Sequence, residues 1–293
     1  MRPLIGMMFL AVSSPVLALN IFACEPEWGA LAKELAGGEA RIYVATTALQ
    51  DPHRIEARPS LIARARSADL VVCTGADLEA AWLPLVIAQS GNGLIRPGQP
   101  GYFEAAGAVE LRERPARLDR AMGDVHAAGN PHLQLDPRNV AKVAAALAQR
   151  MAQLDPKGSS DYERRLKDFS LRWSQAVGRW EAQARPLKGM PVVVHHLNLS
   201  YLVAWLGMRE VAALEPKPGL PPGTAHLAEV LERHRRDPAK AVLRAAYDDP
   251  RPSEWLAARA GIRAVVLPYT VGGTPAAKDL FSLYEDTLSR LLR

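Results

Sequence analysis

Short apolar runs rich in β-branched residues alternate with helical patterns along almost the whole chain, and one long stretch with almost no helix breakers splits the alternation in two. Nothing else in the sequence constrains the fold as strongly, because strands that alternate with helices pair in parallel. In the first half, strands are expected at 19–24, 40–46 and 69–73, with a weak fourth in "VELRE" at 109–113. Helices are expected at 28–35, closed by Gly37 and Gly38, from Pro59, at 78–90 up to Gly91, and at 137–151.

Residues 160–186 carry only Gly178 as an interior breaker and read as one long amphipathic helix. The alternation then restarts with "PVVVHH", "REVAAL", "AVLRA" and "AVVLP" as strands. The helices between and after them are "SYLVAWL", "AHLAEVLERHRR", "PSEWLAARAG" and a last one from about Lys278. The 293 residues suit two domains. The fold class is therefore α/β, two lobes each holding a four-stranded, mainly parallel sheet, bridged by one long helix. The expected divisions are 19–154, 155–188 and 189–293.

Residues 1–18 read as a secretory signal peptide: Arg2, a dozen apolar residues, and the small-residue site Val16-Leu17-Ala18. A lipoprotein acceptor at Cys24 is the weaker alternative, since "LNIFAC" also reads as the first core strand. Export makes disulfides permissible, and Cys24 and Cys73 both fall at strand ends. A bond between them stays open, with buried free thiols the plainer reading. The net charge of +5 becomes +4 once Arg2 leaves. The basic residues are mixed with acids, as in "DYERRLKDF", which describes a solvated helix face rather than a nucleic-acid surface. No later run of about 18 apolar residues suggests a membrane span.

The histidines carry the chemistry. His53 follows the second strand, His126 and His132 follow the fourth, and His195 and His196 end the first strand of the second half. Ligands of open parallel sheets bind beyond the carboxyl ends of the strands, so imidazoles from both halves can meet between the lobes. Three imidazoles with an open fourth position make a recognised zinc arrangement. His126 reads as an exposed loop residue or an auxiliary ligand, and His226 and His234 as surface positions on a helix.

"DPHRIEARPSLIARARSADLVVCTGADLEAAWLP", "GNPHLQLDPRNVAKVAAALAQRM" and "VVVHHLNLSYLVAWLG" resemble three motifs of the solute-binding proteins that serve zinc and manganese ABC importers. The resemblance covers essentially the whole mature chain, in order, and is strongest to the zinc-type members. It implies two α/β lobes bridged by a rigid helix, with the metal in the cleft between them. It assigns His53 and His132 as ligands. Of His195 and His196, which point in opposite directions, it selects His196, because Tyr201 stands five residues later. It also implies a periplasmic receptor, monomeric, that hands its ion to an inner-membrane permease and its ATPase.

Two departures stand out. The histidine-rich loop of many zinc-type relatives is missing from 101–128, and "LPYTVGGTPAAKD" places Tyr269, Thr270 and Val271 where a fourth, carboxylate ligand is expected. Asp279 is split between that ligand role and the N-cap of the last helix, and Asp248 and Asp249 are weaker candidates. Three imidazoles favour Zn²⁺ over Mn²⁺ as cargo, with affinity falling below about pH 6.5, where histidines protonate. A secreted zinc hydrolase is the rival from another class, but HExxH, GxSxG and Walker motifs are absent from the sequence. An adhesin of the same fold is a further alternative.

Overall fold

A computed structural model describes residues 18–115, 123 and 126–293. The leader expected over 1–18 lies, except for Ala18, outside these residues. The first sheet is built from β1 (Asn20–Ala23), β2 (Arg41–Val44), β3 (Leu70–Cys73) and β4 (Tyr102–Glu104), in the order β2-β1-β3-β4. The second, from β5 (Pro191–Val194), β6 (Arg209–Ala213), β7 (Ala241–Ala245) and β8 (Arg263–Leu267), repeats that order as β6-β5-β7-β8. Every pairing is parallel.

The helices are α1 (Pro26–Ala36), α2 (Pro59–Arg66), α3 (Leu83–Ser90), α4 (Pro137–Leu154), α5 (Ser159–Gln183), α6 (Ser200–Trp205), α7 (Thr224–Arg236), α8 (Pro250–Ala260) and α9 (Leu280–Leu292). Prolines open α1, α2, α4 and α8, where the missing N–H costs nothing. Left-handed Gly91 and Gly261 close α3 and α8.

Period two along the strands sorts the core. Ile21 and Ala23 of β1, with Val192 and Val194 of β5, face a single cluster shared by both lobes. Phe22 and Val71 face a separate cluster on the outer side of the first sheet, and Val193 and Val242 one on the outer side of the second. The long helix α5 fills the shared cluster with Phe169, Trp173 and Trp180. It packs on α1 and α4 of the first lobe and on α9 of the second. Phe169 stacks on Trp173 at 5.1 Å between ring centroids, and Trp180 on Tyr284 of α9 at 4.9 Å.

The structure departs from the sequence reading in several places. The fourth strand is Tyr102–Glu104, not 109–113. At 112 the backbone instead serves two loop contacts: Arg112 N donates to the Tyr201 hydroxyl of the second lobe, and Arg112 O accepts from Asn130 N within the first. Cys24 and Cys73 form a disulfide with 4.8 Å between their Cα atoms, rather than standing as free thiols. His234, read as a surface residue, is buried, because its Nδ1 accepts from Ala239 N where the chain turns from α7 into β7.

Candidate metal centre

Both sheets have their switch point beside the central strand, where the chain leaves to one side and returns to the other, and loops leaving the carboxyl ends there frame a crevice. Into it the structure brings His53 from the loop after β2, His126 and His132 from the segment before α4, and His196 from the end of β5. Nitrogen atoms of His53, His126 and His132 all lie within 4.8 Å of one another. The His196 ring stands 6.3 Å from that of His53 and 5.9 Å from that of His132, between centroids. His132 and His196 are buried, and His53 and His126 half-buried.

The rings of His53, His196 and His132 are held from behind. Asp51 Oδ1 sits 2.7 Å from His53 Nδ1 and also accepts from His53 N at 3.0 Å. Glu215, just past β6, places Oε2 2.5 Å from His196 Nδ1 and takes a second hydrogen bond from Gly219 N. The Tyr269 hydroxyl, just past β8, is 2.7 Å from His132 Nδ1. An imidazole that donates its Nδ1 proton to such a partner presents the Nε2 lone pair forward. His53 Nε2 faces His126 Nε2 at 3.3 Å, a separation at which two lone pairs repel unless a proton or a cation lies between them.

The loops are fixed by their own sequence. Trp82 Nε1 donates to Pro52 O and pins the His53 loop. Asn130 Oδ1 accepts from His132 N, while its amide nitrogen reaches across to Leu197 O and Ser200 Oγ in the second lobe. Asp136 then caps α4 by accepting from Arg138 N, as "NPHLQLDP" leads one to expect. Tyr201 donates to Asn130 O, so it ties the two lobes rather than touching His196. Arg54 adds a further tie to Gly219 O.

Electrostatics act in opposite senses on the two buried rings. Burial, and next the charges His53, His196 and His126 would carry, hold His132 well below the usual histidine range. Burial also acts to lower His196, but the hydrogen bond and charge of Glu215 outweigh it and its pKa is raised. Burial acts to raise Asp51, yet the hydrogen bond from His53 leaves it lowered, so it stays a carboxylate.

The remaining candidates are engaged in other contacts, although Asp248 and Asp249 share a cavity wall with His53 and His196. His195 turns away, its Nδ1 buried without a hydrogen-bond partner, on the wall of a cavity of about 620 Å³ that opens beside His53 and His196. Asp279 caps α9, accepting from Ser282 N. Asp248 accepts from Ala245 N and Asp249 caps α8. His226 sits against Ala213 O. Sequence reasoning left His126 open between an exposed loop residue and an auxiliary ligand, and it missed Glu215 altogether. A carboxylate immediately beyond a strand end was the available signal for Glu215; for His126 the signal was only its distance of six residues from His132.

A family model described as zinc-uptake complex component A, periplasmic, matches residues 21–293. A high-affinity zinc uptake system protein of Yersinia pestis is 22% identical over 273 residues, covering 89% of this chain and 86% of that protein. Its counterpart from Brucella abortus is 24% identical over 120 residues, covering 41% of this chain and 36% of its own length. A solved structure of ZnuA superposes with a TM-score of 0.74 at 20% identity, covering 93% of this chain and 97% of that one. With a family model spanning all but the first 20 residues, the chain belongs to the family of periplasmic A components of zinc-uptake complexes.

Proposed function

We propose that this protein is a periplasmic receptor that captures Zn²⁺ between its lobes and delivers it to an inner-membrane ABC permease powered by an ATPase. In this reading the lobes span 19–154 and 189–293 about the linking segment 155–188, and the exported chain acts as a monomer without turnover chemistry. His53, His132 and His196 are ligands, and His126 joins them as the fourth donor in place of a carboxylate.

One observation carries the reading: imidazoles from both lobes converge on one point, three of them with Nδ1 already tied, two to carboxylates and one to a phenol. Such outer partners fix ring orientation and raise ligand basicity at zinc sites. A donor set of nitrogens suits Zn²⁺ better than Mn²⁺, which prefers oxygen. Asp51 and Glu215 are engaged by imidazoles, which leaves neither as a general base for hydrolysis. Among the described residues no helix is long and apolar enough to cross a membrane.

The test is zinc stoichiometry and affinity by competition with a chromophoric chelator. We expect one tightly bound ion per chain, weakened by His53→Ala, His132→Ala, His196→Ala and His126→Ala. Binding indifferent to all four changes would remove the crevice as the site.

A further inference from the structure

The first sheet buries a second constellation that the histidine site does not use. Ala23 of β1 lies opposite Val72 of β3, so the next residues, Cys24 and Cys73, stand side by side and fully buried at the carboxyl end of the sheet. Beyond Cys73, Gly75, Ala76 and Asp77 all have positive φ, of 76°, 52° and 65°. This tight turn returns Glu79 to the strand end, where it accepts from Thr74 N at 2.8 Å and Gly75 N at 3.0 Å. A carboxylate oxygen of Glu79 and both sulfurs all lie within 4.8 Å of one another. Glu25 lies against Glu79, the two carboxyls joined by a side-chain hydrogen bond that needs a proton on one of them, and Glu25 Oε2 also accepts from Thr74 Oγ1.

A disulfide does nothing for these two carboxyls, since its sulfurs donate no hydrogen bond. Burial first, and then the charges of Glu79 and Glu27, push Glu25 well above the carboxylate range; burial pushes Glu79 up to about 7. Two carboxyls buried side by side must share a proton to stay there, and a cation would take that proton's place.

We propose that Cys24, Cys73 and Glu79, with Glu25 beside them, form a redox-gated site for a thiophilic divalent cation such as Zn²⁺: closed while the disulfide stands, open once it is reduced. A dithiol supplies the two electrons. Its sulfurs join in a disulfide as the Cys24–Cys73 bond breaks, and its two protons pass to the cysteines. The cation displaces those protons from the thiols on binding. Two thiolates and carboxylate oxygen are a donor set that zinc accepts. The way in runs past Glu79, which also lines a cavity of about 470 Å³ walled by Asp77, Tyr102, Glu104 and the apolar face of α3.

The experiment uses the mature chain carrying His53→Ala and His132→Ala, so that the crevice does not contribute. Protein is compared before and after dithiothreitol, which is removed by anaerobic desalting, with thiols counted and folding followed by circular dichroism. Zn²⁺ and Co²⁺ are the probes. The reduced, folded chain should take up one ion more than the oxidised chain, with a thiolate-to-cobalt charge-transfer band. Glu79→Gln should weaken that uptake at least roughly tenfold, and Cys73→Ser should abolish the band. A disulfide that resists the dithiol in the folded chain, a reduced chain that unfolds, or equal uptake in both states overturns the proposal.

Discussion

At the scale of residues, the imidazoles differ in what stands behind them. Asp51 and Glu215 are charged partners, whereas Tyr269 offers a phenol whose burial, with the charge of Glu27, keeps it from ionising. Charge-assisted hydrogen bonds are roughly twice as strong as neutral ones. Asp51→Asn and Glu215→Gln should therefore lower zinc affinity by about 10- to 100-fold, and Tyr269→Phe by less, in the same chelator competition. His53, His132 and His196 could be singled out in the sequence because each follows a strand within a recognisable local motif. His126 could not. "GDVHAAGNPH" does not reveal that Gly129, at φ 118°, packs on the Arg112 carbonyl and turns the segment back toward the crevice. That contact joins residues that no periodicity links.

At the scale of elements, Asp279 shows how one residue type serves two purposes. It caps α9 through a reciprocal arrangement with Ser282, and Asp279→Ala should cost about 1 kcal/mol of stability in urea denaturation. Zinc affinity should stay unchanged, which separates a cap from a ligand. Most element ends were legible because prolines and glycines mark them. The fourth strand was not: its three residues are too few for a periodic signal, while the alternation in "VELRE" belongs to a loop whose Arg112 N–H is taken by the Tyr201 hydroxyl of the other lobe. The sequence also extended the third helix back to residue 78, where the tight turn and the looping return of Glu79 delay it to Leu83.

At the scale of the whole molecule, the lobes are joined by polar as well as apolar contacts. Glu27 of α1 accepts from Thr270 Oγ1 beyond β8, and burial, offset in part by that bond, raises its carboxyl to about 7. A carboxyl raised on folding stabilises most below its unfolded value, near 4.5, and loses that contribution as pH rises through 7. The loss amounts to about 3 kcal/mol. Glu27→Gln should accordingly flatten the pH dependence of stability across that window, with the largest gain over the parent above neutrality, as read by urea denaturation at several pH values.

The inner faces of both sheets share one cluster of side chains threaded by α5, and this bears on how the molecule comes apart. A chain with two sheets in two lobes would ordinarily be expected to lose them one after the other on heating, since separate cores melt separately. Here α1 lies on the inner face of the first sheet and α9 on that of the second, and α5, through Trp173 and Trp180, packs against both helices, so the inner layer of one lobe loses part of its cover once the other has gone. Calorimetry should record a single endotherm, with the van't Hoff and calorimetric enthalpies equal.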